Sequence, residues 1–100
     1  MATTSKALFR GAAATSSTTL YTVPASTTTV ITEIVVTNTA ASAADFSLTL
    51  DSVSIATTVE VAANDSTVIS LKQVLATTKI IAGFASATTV NFHISGVEIS

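Results

Sequence analysis

Apolar and polar residues in this chain alternate with a period of two, and no segment carries the 3.6-residue stripe of an amphipathic helix. That pattern constrains the fold more than any other feature. Ala44 to Leu50 shows it most clearly, with Phe46, Leu48 and Leu50 on one side and Ser47, Thr49 and Asp51 on the other. Successive side chains of a strand point to opposite faces, so such a segment reads as a strand with one face buried. Thr28 to Asn38 is the longest candidate strand. Its pattern places Val30, Ile34 and Val36 on one face and Ile31, Glu33, Val35 and Thr37 on the other. Val, Ile and Thr dominate while Leu, Glu, Lys and Arg are scarce, which favours pleated structure throughout.

The remaining elements follow from the same reading. Leu20 to Val23 is a short strand ended by Pro24. Val53 to Val61 is a strand, or a pair of short ones, with Val59 and Val61 inward. Thr67, Ile69 and Leu71 alternate with Val68 and Ser70, and Lys72 to Thr78 reads as a connection. Lys79 to Ala85 is a strand whose Gly83 marks a close approach or a bulge. In the last strand Val90, Phe92 and Ile94 share a face, but the next apolar pair is Val97 and Ile99. That slip at Ser95-Gly96 predicts a β-bulge. Turn signals fall at Asn38–Ser42, Asp51-Ser52 and Asn64-Asp65. Short strands separated by turns predict an all-β fold, a compact antiparallel β-sandwich of jelly-roll or Ig-like type. Residues 1–19 show no period that would bury a face and read as an extended N-terminal arm, with residues 20–100 as the sandwich domain. The arm is either a disordered tail or a segment that orders by docking Leu8, Phe9 and Arg10 on a neighbour. On the docking reading, replacing Leu8 and Phe9 by Ser weakens attachment and leaves the sandwich folded.

Hydrophobic residues make up 48% of the chain and charged residues 10%, against roughly 25% charge in an average soluble domain. Threonine, serine and alanine fill the difference. Such short side chains lose little rotamer entropy on burial, as suits a protein covered by other copies or other proteins. One hundred residues support one modest core. Without cysteine there are no disulfides, so stability must come from packing or assembly. The basic residues Lys6, Arg10, Lys72 and Lys79 are scattered and the net charge is −2, which argues against nucleic acid as a partner. No apolar run approaches the ~20 residues of a spanning helix, so no membrane partner is expected. Ala7-Leu8-Phe9 is stopped by Arg10 and Gly11, so a secretory signal is not expected either.

Catalytic or metal chemistry finds little to build on. His93 is the single histidine and alternates outward from Phe92 and Ile94. A Ser-His-Asp arrangement would need a carboxylate behind it and an activated hydroxyl before it, and no Gly-x-Ser-x-Gly elbow occurs. The carboxylates Glu33, Asp45, Asp51, Glu60, Asp65 and Glu98 are dispersed, with no Asp-x-Asp series for calcium. Three unclustered glycines make no phosphate-cradling loop. No catalytic residue, metal site or cofactor is therefore expected. The recurring Ala-Thr-Thr triplets at Ala56, Ala76 and Ala87 are unequally spaced, which argues against a flat ice- or polysaccharide-binding solenoid and for strand starts. Asn64-Asp65-Ser66 fits a glycosylation sequon but reads as a turn.

Three segments in order carry a resemblance: Leu20-Tyr21-Thr22-Val23-Pro24-Ala25, then Ile34-Val35-Val36-Thr37-Asn38-Thr39, then Val90-Asn91-Phe92-His93-Ile94-Ser95-Gly96-Val97-Glu98-Ile99. Over residues 20–100 the chain resembles small β-sandwich virion structural proteins of tailed bacteriophages. One departure is Ala25-Ser26, where that family often has Ala-Gly. The resemblance implies a non-enzymatic virion protein, and a single small domain, a docking arm and low charge make a capsid decoration (cement) protein on the head surface the leading expectation. Its partners would be the major capsid protein or other virion proteins and further copies of itself, with a trimer as the expected homo-oligomer. A tail, baseplate or fibre component is the alternative. A carbohydrate-binding adhesion module is more distant, because the chain has no tryptophan and Phe46, Phe84 and Phe92 read as inward or shielded.

Overall fold

A computed structural model describes residues 2–100, and among them every regular element is a strand. The strands are β1 (Thr3–Ala12), β2 (Thr18–Thr22), β3 (Thr28–Asn38), β4 (Ala44–Leu50), β5 (Val53–Val61), β6 (Ser66–Leu75), β7 (Ile80–Ala85) and β8 (Val90–Ile99). They form two antiparallel four-stranded sheets in the orders β1-β8-β3-β6 and β2-β7-β4-β5. The pairs β1·β8, β2·β7, β3·β6 and β4·β5 are nested, as in one long hairpin folded back on itself. Winding that ribbon up adds β3·β8 and β4·β7 and closes each sheet. This is the jelly-roll topology rather than the Ig-like one.

The core lies between the sheets. Ile34, Val36, Phe92 and Ile94 from the first sheet and Phe46 and Leu48 from the second are all 0–1% exposed. Phe46 and Phe92 meet edge to face across the gap, ring centroids 6.0 Å apart and planes at 71°. Asp51 and Ser52, with φ of 52° and 64°, make the tight turn from β4 to β5 at the predicted place. Asn64, with φ of 55°, stands in the predicted turn before β6.

Four expectations are corrected. Residues 3–12 are not a free arm: β1 pairs along its length with β8, and the edges of the chain meet where Ala2 and Ser100 exchange backbone hydrogen bonds. Lys72 to Leu75 continues β6 instead of leaving the sheet. On β3 the buried set is Thr29, Ile31, Ile34, Val36 and Asn38, so Ile31 is inward and the phase changes at Thr32. Phe84 is 37% exposed and Val59 36% exposed, so neither is shielded.

The bulge predicted at Ser95-Gly96 of the last strand is absent, and Val97 and Ile99 alternate onto the outer face; the bulges at that level lie in the neighbouring strands instead. β8 itself runs unbroken. On one side Ser95 and Ile94 face Ala7 and Phe9, leaving Leu8 as the extra residue of β1. On the other, Gly96 and Ser95 face Ile31 and Glu33, leaving Thr32 extra in β3. The irregularity continues into β6, where Leu71 and Lys72 lie opposite that single Thr32. A crease thus crosses the whole sheet. Gly96 sits at its centre because a Cβ there would lie 2.5 Å from the Val30 carbonyl oxygen and 2.9 Å from Leu8 Cδ1.

The second sheet repeats the device. Leu20 is the extra residue of β2, and a Cβ on Gly83 would come 2.5 Å from Leu48 Cδ2 and 2.9 Å from the Ser47 carbonyl. The close approach predicted at Gly83 is therefore present. Bulges increase local twist and bend their strand, which lets two flat sheets wrap a common core.

Candidate functional site

The three residues singled out for docking do not form one surface. Leu8 is 8% exposed, turned into the core by the β1 bulge onto Gly96. Phe9 faces inward opposite Ile94 and is half-buried, its ring lying over Gly11. Arg10 alone is exposed, beside His93 on the outer face of the sheet. Leu8 is a core residue and Phe9 packs against the core, and the arm contact is corrected accordingly.

The strongest polar cluster lies between the sheets at one end of the sandwich. Tyr21 of β2 reaches across to β3 and β8: its hydroxyl is 2.8 Å from Thr29 Oγ1 and donates to Glu98 Oε2 at 2.5 Å. Since the phenol has one proton and gives it to the carboxylate, the Thr29 hydroxyl donates to the phenol. Lys6 Nζ of β1 completes the group 3.4 Å from Glu98 Oε2. Burial first, and then the bond to Glu98, push the Tyr21 hydroxyl from its ordinary value of 10.0 up to about 12. A phenol that holds its proton so firmly, facing a carboxylate already engaged by Lys6, acts as a clasp between sheets. At the opposite end buried Asn38 plays a similar part. Its amide nitrogen donates to the carbonyls of Ser42 (2.8 Å), Val61 (3.3 Å) and Ala62 (3.4 Å), and its oxygen accepts from Ala40 N and Thr89 Oγ1.

Two open surface depressions exist. One, about 420 Å³, is lined by Thr37, Asn38, Thr39, Asn64, Asp65 and Ser66, and the other, about 330 Å³, by Thr32, Ser70, Leu71 and Lys72 at the crease. Neither contains His93, Tyr21 or Glu98. Among the described residues no group of three or more His, Asp and Glu side chains gathers as a metal cage.

What the fold does assemble is an outer sheet face. Strand pairing brings Arg10, His93, Val35 and Val68 into one row across β1, β8, β3 and β6, and Ser5, Val97, Val30 and Val74 into another. Val68 and Val74 are 55% and 66% exposed. Between these rows lie Ala7, Ser95, Glu33 and Ser70. The face is β-branched and creased across its middle, and it carries Arg10, Glu33 and Lys72 among its valines and small polar residues. Sequence reading assigned Val30 to the buried side of β3, and the bulge at Thr32 moves it outward.

No protein-family model matches the chain, and a search of curated proteins finds no relative.

Proposed function

We propose that this chain is a non-enzymatic structural protein of a tailed-phage virion, a decoration (cement) protein that binds the head shell as a homo-oligomer and stabilises it. The observation that carries the reading is the outer face of the β1-β8-β3-β6 sheet. Its valines stand in two rows, with Val68 and Val74 strongly exposed and Arg10, Glu33 and Lys72 around them, and apolar patches rimmed by polar groups mark surfaces that another protein covers. Short valine, serine and threonine side chains suit a repeated contact, because little rotamer entropy is lost when they are covered. The resemblance of the three strand motifs to small phage virion proteins points the same way. Jelly rolls also build viral capsid domains, an analogy at the level of fold only. The major capsid protein is the proposed partner, bound through an interface of roughly 800 Å² per side, the usual size for durable association.

Gold-labelled antibody against this chain, applied to intact particles and viewed by electron microscopy, tests the address. The proposal expects label spread evenly over the heads. Label confined to the tail tip or collar overturns it and assigns the chain to attachment or connection.

A further inference from the structure

Two sheets in a sandwich leave four free edges, and natural edges are protected by charge, shortness or bulges. In this chain β1 carries Lys6 and Arg10, β2 has five residues, and β5 is bulged twice against β4, with Thr58 at φ 49°. β6 differs. It runs for ten residues with Lys72 as its one charge, and Ser66 to Leu71 is an uncharged stretch of good strand formers. Its inward side chains Ile69 and Leu71 are half-buried at the open flank of the sandwich, and its outward Val68 and Val74 are among the most exposed apolar residues.

We propose that the free edge of β6 pairs antiparallel with β6 of a second copy of this chain, joining two four-stranded sheets into one continuous sheet. The argument for a second copy is self-complementarity. Glu33 and Lys72 both lie on the outer side of this sheet, and among the described residues neither is in an ion pair. A two-fold axis at Leu71 sets Val68 opposite Val74 of the second copy and Lys72 opposite Ser70 of the second copy. Ser70 is already paired with Glu33. Each lysine then stands two inter-strand steps, ~10 Å, from the other copy's Glu33, a span that the two long side chains bridge. The two-fold repeats this pair and keeps the two lysines from facing each other. The seam also covers Ile69 and Leu71. It supplies the surface for the proposed homo-oligomer, with a dimer as its unit in place of the trimer expected from the sequence. It rests on the proposed function only in that respect. Particle labelling tests the address and sedimentation tests the seam, so either can fail alone.

The test is sedimentation equilibrium of the full chain and of three variants, Glu33→Lys, Lys72→Glu and the double exchange, with circular dichroism as the check of folding. Both exchanged positions are exposed, so the monomer fold is expected to persist. The expected result is wild-type protein at twice 10.1 kDa, each single exchange weakening association by about tenfold, and the double exchange restoring it. A monomeric wild type at ~1 mM overturns the proposal. So does a trimer, or an oligomer indifferent to the single exchanges, or a loss that the double exchange fails to restore. A second measurement is hydrogen exchange along β6, whose outward-facing amides gain protection with rising concentration only if that edge is paired.

Discussion

At the scale of single residues, the chain spends its few special groups on holding two sheets together. Tyr21, Thr29, Glu98 and Lys6 come from four strands and meet at one point between the sheets. Tyr21→Phe removes a hydroxyl that satisfies buried Thr29 and part-buried Glu98 and is expected to cost about 1–3 kcal/mol, read as a lower urea midpoint. The same group sets a pH dependence. The folded state keeps the Tyr21 proton up to about pH 12, whereas the unfolded chain releases it near 10.0. Between those values the folded state binds more protons, so stability falls as pH rises; its contribution is complete below pH ~10 and is lost through ~12. Urea midpoints measured from pH 8 upward should decline above 10 in the wild type, and Tyr21→Phe should lack this component. Gly96 is the second such position. Gly96→Ala presses a methyl onto the Val30 carbonyl and is expected to destabilise by about 1–3 kcal/mol. Pairing it with Leu8→Ala should not restore stability, because the backbone contact remains.

At the scale of elements, legibility followed the regularity of each strand. β4 was readable to its ends because its alternation is unbroken up to the turn that Asp51-Ser52 announces, whereas the two bulges of β5 left Val59 assigned to the wrong side. β1 was not readable. Its bulge puts Leu8 and Phe9, adjacent in sequence, both inward, which erases the period of two, and Lys6, Arg10 and Gly11 complete the look of a polar arm. The face of β3 was misassigned for the same reason, since the inward residues Ile31 and Ile34 are three apart. The slip read at Ser95-Gly96 was false, because Val97 and Ile99 are outer-face residues and two outward apolar side chains imitated a change of phase. The candidate docking residues failed with the arm. Replacing both Leu8 and Phe9 by Ser is now expected to lower the thermal midpoint sharply, with Leu8 alone accounting for about 2–5 kcal/mol. A double variant with an unchanged melt would show that β1 contributes little to the fold.

At the scale of the whole molecule, the sandwich is elongated, with extents of 46 × 21 × 18 Å, so a large part of its surface is sheet face and sheet edge. Nearly every strand pair joins segments distant in sequence, the arrangement associated with slow folding and with exposed edges on the way. Low charge was legible from composition, whereas the outer face of the β1-β8-β3-β6 sheet, which sets Arg10, Glu33 and Lys72 among exposed valines, was not. Reading that face required the strand order, since sequence alone does not say that Val35, Val68, Val30 and Val74 are neighbours. On the proposed function, this surface is covered on a head shell and covering it stabilises the shell. The direct measurement is to add purified chain to heads stripped of it, then heat them and follow DNA release. Saturable binding with a higher release temperature is the predicted result. Protein left in the supernatant, with release unchanged, would contradict the account.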